Sequence, residues 1–249
     1  MGVNGTHPAR PLVAAHRGNS AFAPENTLAS FRAALELGAD AVEFDMRLSA
    51  DGDVVLMHDP DVDRTTDGGG LVSDLSTAEI RGLDAGAWKS PDFAGERVPL
   101  LREALGLLAG RCRVLAELKV RGLARPLAEA AAATGALPSL TVLYWAKHPE
   151  DATEIRRHLP GVPLLELGEA PAKSDAAFFE SRSVPGLAGL NYKFKTLTPA
   201  FVAAASASGI PVFTWTVNHP EEMRAAIEMG CAGITTDNPA LLLEVLAAS

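Results

Sequence analysis

Glu43 and Asp45 alternate with Val42, Phe44 and Met46 in the strand-like stretch AVEFDMRL at 41–48. Side chains two apart on a strand share a face and rise about 6.6 Å along it. At an effective dielectric of 20, two anions at that spacing repel by roughly 2.5 kcal/mol, a cost that a bound cation would offset. Other reactive groups also follow apolar runs: His16-Arg17 after PLVAA, His58 after DVVLM, and Glu117 and Lys119 in RVLAELK. Hard oxygen ligands without a Cys or His cluster suit Mg²⁺ or Ca²⁺ better than zinc. Two imidazoles titrating near neutrality suit general acid–base work. Two cations beside three acids suit an anionic substrate bridged to a metal. The ordinary alternatives are a solvated strand face for Glu43 and Asp45 and local ion pairs for Arg17 and Lys119. His7, His148, His158 and His219, which end no such run, read as structural.

These groups converge only if the fold gathers strand ends. Strand-like runs recur at 11–16, 41–46, 113–118, 140–145, 162–167, 186–191, 210–215 and 232–236. Helical patterns separate most of them. Leu28, Phe31 and Leu35 recur at helical spacing after Asn26, a plausible cap, and Gly38 ends the run. Pro220 opens a helix that Gly230 stops, and Asn238-Pro239 opens the last one. Eight apolar strands alternating with helices over about 250 residues favour a closed parallel (β/α)₈ barrel in a single domain spanning 1–249. The runner-up is an open doubly wound sheet, but no Gly-rich phosphate loop follows the first strand.

One segment breaks the alternation. SADG and then DVVLMHDP follow the second strand with no room for a crossover helix, which predicts a hairpin around Asp51-Gly52. With those two residues at the centre, Asp45 faces His58; a longer loop moves this by a residue or so. Residues 60–100, rich in Gly, Asp, Pro and Thr, read as a small insertion at the barrel mouth. In such a barrel the chemistry sits at the C-terminal ends of the strands, where His16, Arg17, Glu43, Asp45, His58, Glu117 and Lys119 all fall.

Composition narrows the partners. A net charge of −9 argues against nucleic acid or an anionic membrane as an electrostatic partner. Cys112 and Cys231 allow at most one bridge and read as small packed residues. The first residues lack a basic stretch followed by an apolar run, and no window approaches a membrane span, so the expectation is a soluble cytoplasmic protein without stable membrane insertion. Asn4-Gly5-Thr6 matches a glycosylation pattern by accident in that setting. The oligomeric state is not readable.

The stretch HRGNSAFAPENTLASFRAALELGADAVEFDMRLSADGDVVLMHDPDVDRTTDGGG resembles the N-terminal signature of the glycerophosphodiester phosphodiesterase family, with its HRG, PENT, E-x-D, HD and RTT elements in order. AELK at 116–119 resembles the family's next motif, and FTWTVNHPEEMRAAIEMGCAGITTDNP its C-terminal block. The segment 121–195 matches only loosely. Phe44 and Met46, where smaller aliphatics are usual, and Ala116 before the Glu, where Ile is commoner, depart from the pattern. The resemblance implies a metal-dependent hydrolase on a TIM barrel that cleaves glycerophosphodiesters to sn-glycerol 3-phosphate and an alcohol. By motif, His16 and His58 would be the acid–base pair, and Glu43, Asp45 and Glu117 the Mg²⁺ or Ca²⁺ ligands. Arg17 and Lys119 would contact phosphate, Trp215 would line the pocket lip, and Glu25 and Asn26 would brace the first loop. Tyr144-Trp145 and Asn191-Tyr192 either shape the pocket or pack in the core. A lysophospholipase D or phospholipase-C-like lipid phosphodiesterase and a non-catalytic phosphodiester-binding barrel stand as alternatives.

Overall fold

The computed structural model describes residues 10–182 and 185–248; Asn4-Gly5-Thr6 and His7 lie outside them. Among the described residues nine strands form one sheet: β1 (Leu12–Ala15), β2 (Ala41–Leu48), β3 (Val54–Leu56), β4 (Arg113–Leu118), β5 (Leu140–Trp145), β6 (Leu164–Gly168), β7 (Leu187–Lys193), β8 (Val212–Trp215) and β9 (Gly233–Thr236). All but β3 are parallel to their neighbours, and β1 pairs with both β9 and β2. That double pairing closes the sheet into a (β/α)₈ barrel and excludes the open doubly wound alternative. A helix follows each barrel strand: α1 (Leu28–Glu36), α3 (Leu101–Leu108), α4 (Ala124–Thr134), α5 (Pro149–His158), α6 (Ala176–Glu180), α7 (Pro199–Ala207), α8 (Pro220–Glu228) and α9 (Pro239–Ala247). The short α2 (Thr77–Gly82) belongs to the insertion. Among the described residues no helix is long and apolar enough to cross a membrane.

Alternation along β2 separates two layers. Val42, Phe44 and Met46 are fully buried against Phe31, Leu105 and Leu127 of the helix layer. Ala41 points the other way and joins Ala14, Leu115, Leu143, Leu165 and Leu167 in the barrel interior. Phe44 and Met46 are therefore packing choices, removed from the face that carries Glu43 and Asp45. Cys112 and Cys231 are free thiols.

The hairpin forms, one residue out of the expected register. Met46 pairs with Leu56 and Leu48 with Val54, so Asp45 faces Met57, whose N–H donates to the Asp45 carbonyl at 3.1 Å, instead of His58. The turn holds three residues, Ala50 to Gly52, closed by Ser49 N–H to Asp53 O at 2.9 Å. Gly52 takes φ +85°, the left-handed position that completes a three-residue hairpin loop. The insertion beyond it has its own core of Val55, Met57, Val62, Val72, Ile80, Ala85 and Val98. Lys89 Nζ ties it to the first loop by donating to Ser20 O at 2.8 Å.

The helix caps follow the sequence signals with one exchange. Asn238 caps α9 by accepting from Leu241 N–H at 3.1 Å. Thr27, not Asn26, caps α1, accepting from Ser30 N–H at 3.3 Å. Asn26 sits in the left-handed region at φ +56° and is held by Asp45 instead.

Candidate active site

At the C-terminal end of the barrel, parallel pairing sets Asp45 of β2 beside Glu117 of β4, with Glu43 one pleat below on the same strand. One carboxylate oxygen from each of Glu43, Asp45 and Glu117 lies within 4.8 Å of the others, and all three residues are buried. Glu43 Oε2 accepts the Arg17 backbone N–H at 3.0 Å, whereas Glu43 Oε1 is buried with no hydrogen-bond partner among the described residues. Desolvation, reinforced by the Asp45 charge, pushes the Glu43 carboxyl up to about 8. Burial acts the same way on Asp45, but Lys119 and Arg17 outweigh it and hold Asp45 well below the usual carboxylate range. An orphaned buried carboxylate oxygen in an all-oxygen donor set fits a hard divalent cation.

The cations reach the same oxygens. Lys119 Nζ lies 2.6 Å from Glu117 Oε1 and 3.0 Å from Asp45 Oδ1, and Arg17 Nε lies 3.1 Å from Asp45 Oδ2. Asn26 completes the cage: its Nδ2 donates to Asp45 Oδ2 at 2.9 Å and its Oδ1 accepts the Asp45 N–H at 3.2 Å. Arg17 takes φ +56° and Gly18 φ +84°. A Cβ at Gly18 would lie 2.7 Å from the Ser30 carbonyl carbon, so the turn that aims Arg17 inward needs glycine there.

Each histidine has a carboxylate behind it. His16 Nδ1 pairs with Asp237 Oδ1 at 2.6 Å, and Asp237 also accepts from Ser20 Oγ at 3.1 Å and Asn218 Nδ2 at 2.6 Å. His58 Nδ1 pairs with Asp59 Oδ1 at 2.7 Å. Arg64 then bridges Asp59 to Glu25, which in turn accepts from Arg17 Nη1 at 2.7 Å. The two imidazoles shift in opposite directions. Burial lowers His58; for His16 burial pulls the same way, but the Asp237 hydrogen bond and the Glu43 charge raise it. Paired acid–base chemistry needs one proton donor and one acceptor, and rings shifted in opposite directions suit that division.

A cleft of about 290 Å³ opens over these groups. His16, Arg17, Glu43, His58, Glu117 and Lys119 line it together with Trp145 and Trp215. The two indoles meet edge to face at 5.7 Å, and Trp145 Nε1 donates to Glu117 Oε1 at 3.0 Å. Asn191 also lines the cleft, its buried Oδ1 without a hydrogen-bond partner among the described residues. Of the two aromatic pairs, Trp145 and Asn191 face the cleft. Tyr144 and Tyr192 turn outward, where their hydroxyls donate to Glu166.

The eight residues singled out from the sequence thus come together, Asp45 from just beneath the cleft floor. Sequence reasoning missed Asp237, Asn218, Asp59 and Arg64. Asp59 and Arg64 stood inside the HD and RTT elements, and Asp237 follows the last strand at its C-terminal end, a position that could have flagged it.

The glycerophosphoryl diester phosphodiesterase family model matches residues 16–241. The chain belongs to that family. The match includes 121–195, where the sequence motifs resemble the family only loosely. A glycerophosphodiester phosphodiesterase from Caldanaerobacter subterraneus is 33% identical over 95% of this chain and 98% of its own length. One from Bacillus subtilis is 30% identical over 96% and 87%. Among solved structures, an Oleispira antarctica phosphodiesterase in complex with the product sn-glycerol-3-phosphate superposes with a TM-score of 0.84 at 29% identity, covering 96% of this chain and 97% of that one.

Proposed function

We infer that this chain is a metal-dependent hydrolase that cleaves glycerophosphodiesters to sn-glycerol 3-phosphate and an alcohol at the cleft over Glu43, Asp45 and Glu117. The observation that carries this reading is the buried carboxylate triad flanked by two histidines that each rest on an aspartate. The product named with the Oleispira antarctica structure supports the substrate class. Phosphodiester anions repel nucleophiles, so the reaction needs charge neutralised at the non-bridging oxygens, a base and an acid.

Glu43, Asp45 and Glu117 would hold Mg²⁺ or Ca²⁺. When bound, such an ion neutralises developing charge on phosphoryl oxygen. Arg17 and Lys119 present guanidinium and ammonium groups to the same oxygens. The substrate's own glycerol 2-hydroxyl attacks phosphorus as one histidine takes its proton, and the other histidine protonates the departing alkoxide. Water then opens the cyclic phosphate with the histidine roles exchanged. Asp237 and Asp59 fix the imidazole tautomers, so that Nε2 of each ring faces the cleft chemistry. Trp145 and Trp215 wall in the glycerol carbons.

The test is release of sn-glycerol 3-phosphate from glycerophosphocholine with Mg²⁺ or Ca²⁺, against the same assay in EDTA. Turnover that needs added metal is expected. Turnover unchanged in EDTA removes the metal from the reading, and no product with either ion removes the reaction.

A further inference from the structure

A second hollow of about 330 Å³ adjoins the cleft and shares His58, Lys119 and Trp145 with it. The end of β2 and the loops after β4 and β5 supply its cations: Arg47 stands two residues beyond Asp45, Arg121 two beyond Lys119, and Lys147 two beyond Trp145. Arg47 donates through Nε and Nη2 to the His58 carbonyl at 3.0 and 2.7 Å. Lys147 Nζ lies 5.2 Å from the Trp145 ring centroid on an exposed side chain. Among the described residues neither Arg47 nor Lys147 has a carboxylate within ion-pair distance, whereas Arg121 pairs with Glu150.

Four basic side chains, Arg47, Lys119, Arg121 and Lys147, line the hollow against two acids, Asp59 and Asp151. Asp59 is committed to His58 and to Arg64, at 2.7 and 2.5 Å. Asp151 is buried in the first turn of α5. The lining is thus richer in basic than in acidic side chains on a chain whose net charge is −9.

The inner cleft has buried walls, with Leu143, Leu167 and Asn191 among them, and suits a small polyol. The outer hollow is walled by the ends of β2, β4 and β5, by the loops that follow them and by the first turn of α5. A phosphodiester centred near Arg17 and Lys119 can send one arm into each.

We propose that the outer hollow receives the leaving alcohol and selects alcohols that carry an anionic group of their own, a second phosphate above all. The inference rests on the hydrolase reading and adds to it a direction of charge preference. Arg47 and Lys147 meet the extra anion, and a quaternary ammonium in the same place meets like charge. Because the cations sit on the leaving-group side, the preference appears in kcat/KM for the alcohol and not in the identity of the phosphate product.

A matched pair of substrates reads this out: glycerophosphoinositol and glycerophosphoinositol 4-phosphate, with glycerophosphocholine as the cationic arm and released sn-glycerol 3-phosphate as the signal. Exposed charge pairs are individually weak, so the expected gain for the phosphorylated inositol is about tenfold in kcat/KM at low ionic strength. Screening should erode that gain as salt rises. Lys147→Glu should bring the ratio between the matched substrates to about one or below. A wild-type ratio within about twofold of unity overturns the proposal, as does a preference that survives both Lys147→Glu and Arg121→Glu. Absence of turnover on all three substrates instead overturns the hydrolase reading on which it rests.

Discussion

Asp237 Oδ1 lies 2.6 Å from His16 Nδ1, although the two residues stand 221 positions apart in the chain. Closure of the barrel brings them together: β9 ends at Thr236, β1 ends at Ala15, and those two residues are register partners. Each polar residue follows its strand by one position. The carboxylate raises the imidazole pKa and orients the ring, and Ser20 and Asn218 keep it ionised.

Asp237→Asn should therefore lower kcat by about two orders of magnitude, the lower end of what general acid–base catalysis contributes. It should also move the limb of the pH–rate profile governed by His16 to lower pH, because a charge that raised that pKa is gone. An unmoved limb with wild-type kcat rejects the positioning role. Hydrogen bonds from His16, Asn218 and Ser20 outweigh desolvation and hold Asp237 at about 2 in the folded chain, below its ordinary 3.8. Its stabilising contribution is present above pH 4 and is lost as pH falls toward 2, so the variant's acid unfolding should be flatter across that window.

His16→Ala and His58→Ala should each reduce kcat by roughly 10²- to 10⁴-fold while circular dichroism and thermal unfolding stay close to wild type. Both side chains face the cleft and are partly exposed, so truncation leaves no sealed cavity. A variant that keeps the wild-type rate loses its place in the acid–base pair.

Glu43→Gln separates metal binding from folding. The folded carboxyl is raised to about 8 by burial and by Asp45, while the unfolded one ionises near 4.5. Without metal, the unfolded chain gives up this proton first, so stability falls as pH rises from about 4.5 to about 8, by an order of a few kcal/mol. The Gln variant should lack that loss when melted in EDTA at pH 5 and pH 8, yet bind Mg²⁺ or Ca²⁺ more weakly by calorimetry and turn over more slowly. Loss of activity with metal affinity intact assigns Glu43 a different role.

Trp145→Phe keeps an aromatic wall and removes the indole N–H that Glu117 accepts at 3.0 Å. Partners behind a ligand commonly contribute 10- to 100-fold in metal affinity, so the metal Kd should rise by about tenfold with the melting temperature little changed. An unaltered Kd makes Trp145 a cleft wall alone.

Much of this site was legible in one dimension. Period-two alternation in AVEFDMRL put Val42, Phe44 and Met46 on one face and Glu43 and Asp45 on the other, because successive strand side chains point oppositely whatever the sheet around them. The run of eight apolar strands with intervening helices implied the barrel, and the C-terminal ends of those strands named His16, Arg17, Glu117 and Lys119. Local chemistry also set most helix ends, as at Asn238 and Gly38.

Tertiary structure decided what depends on neighbours distant in the chain. The register of the hairpin turned on whether two or three residues form its loop, and Gly52 at φ +85° settled it by one position. Asn26 has the side chain of a helix cap, but Asp45, buried and in need of donors, recruits it, and Thr27 caps α1 in its place. Asp237 gains its meaning only from closure of β9 onto β1, and Trp145 from the pairing of β4 with β5 that sets it over Glu117. Spacing along a chain fixes which face a residue takes, whereas the charge it meets there is set by what folding places opposite.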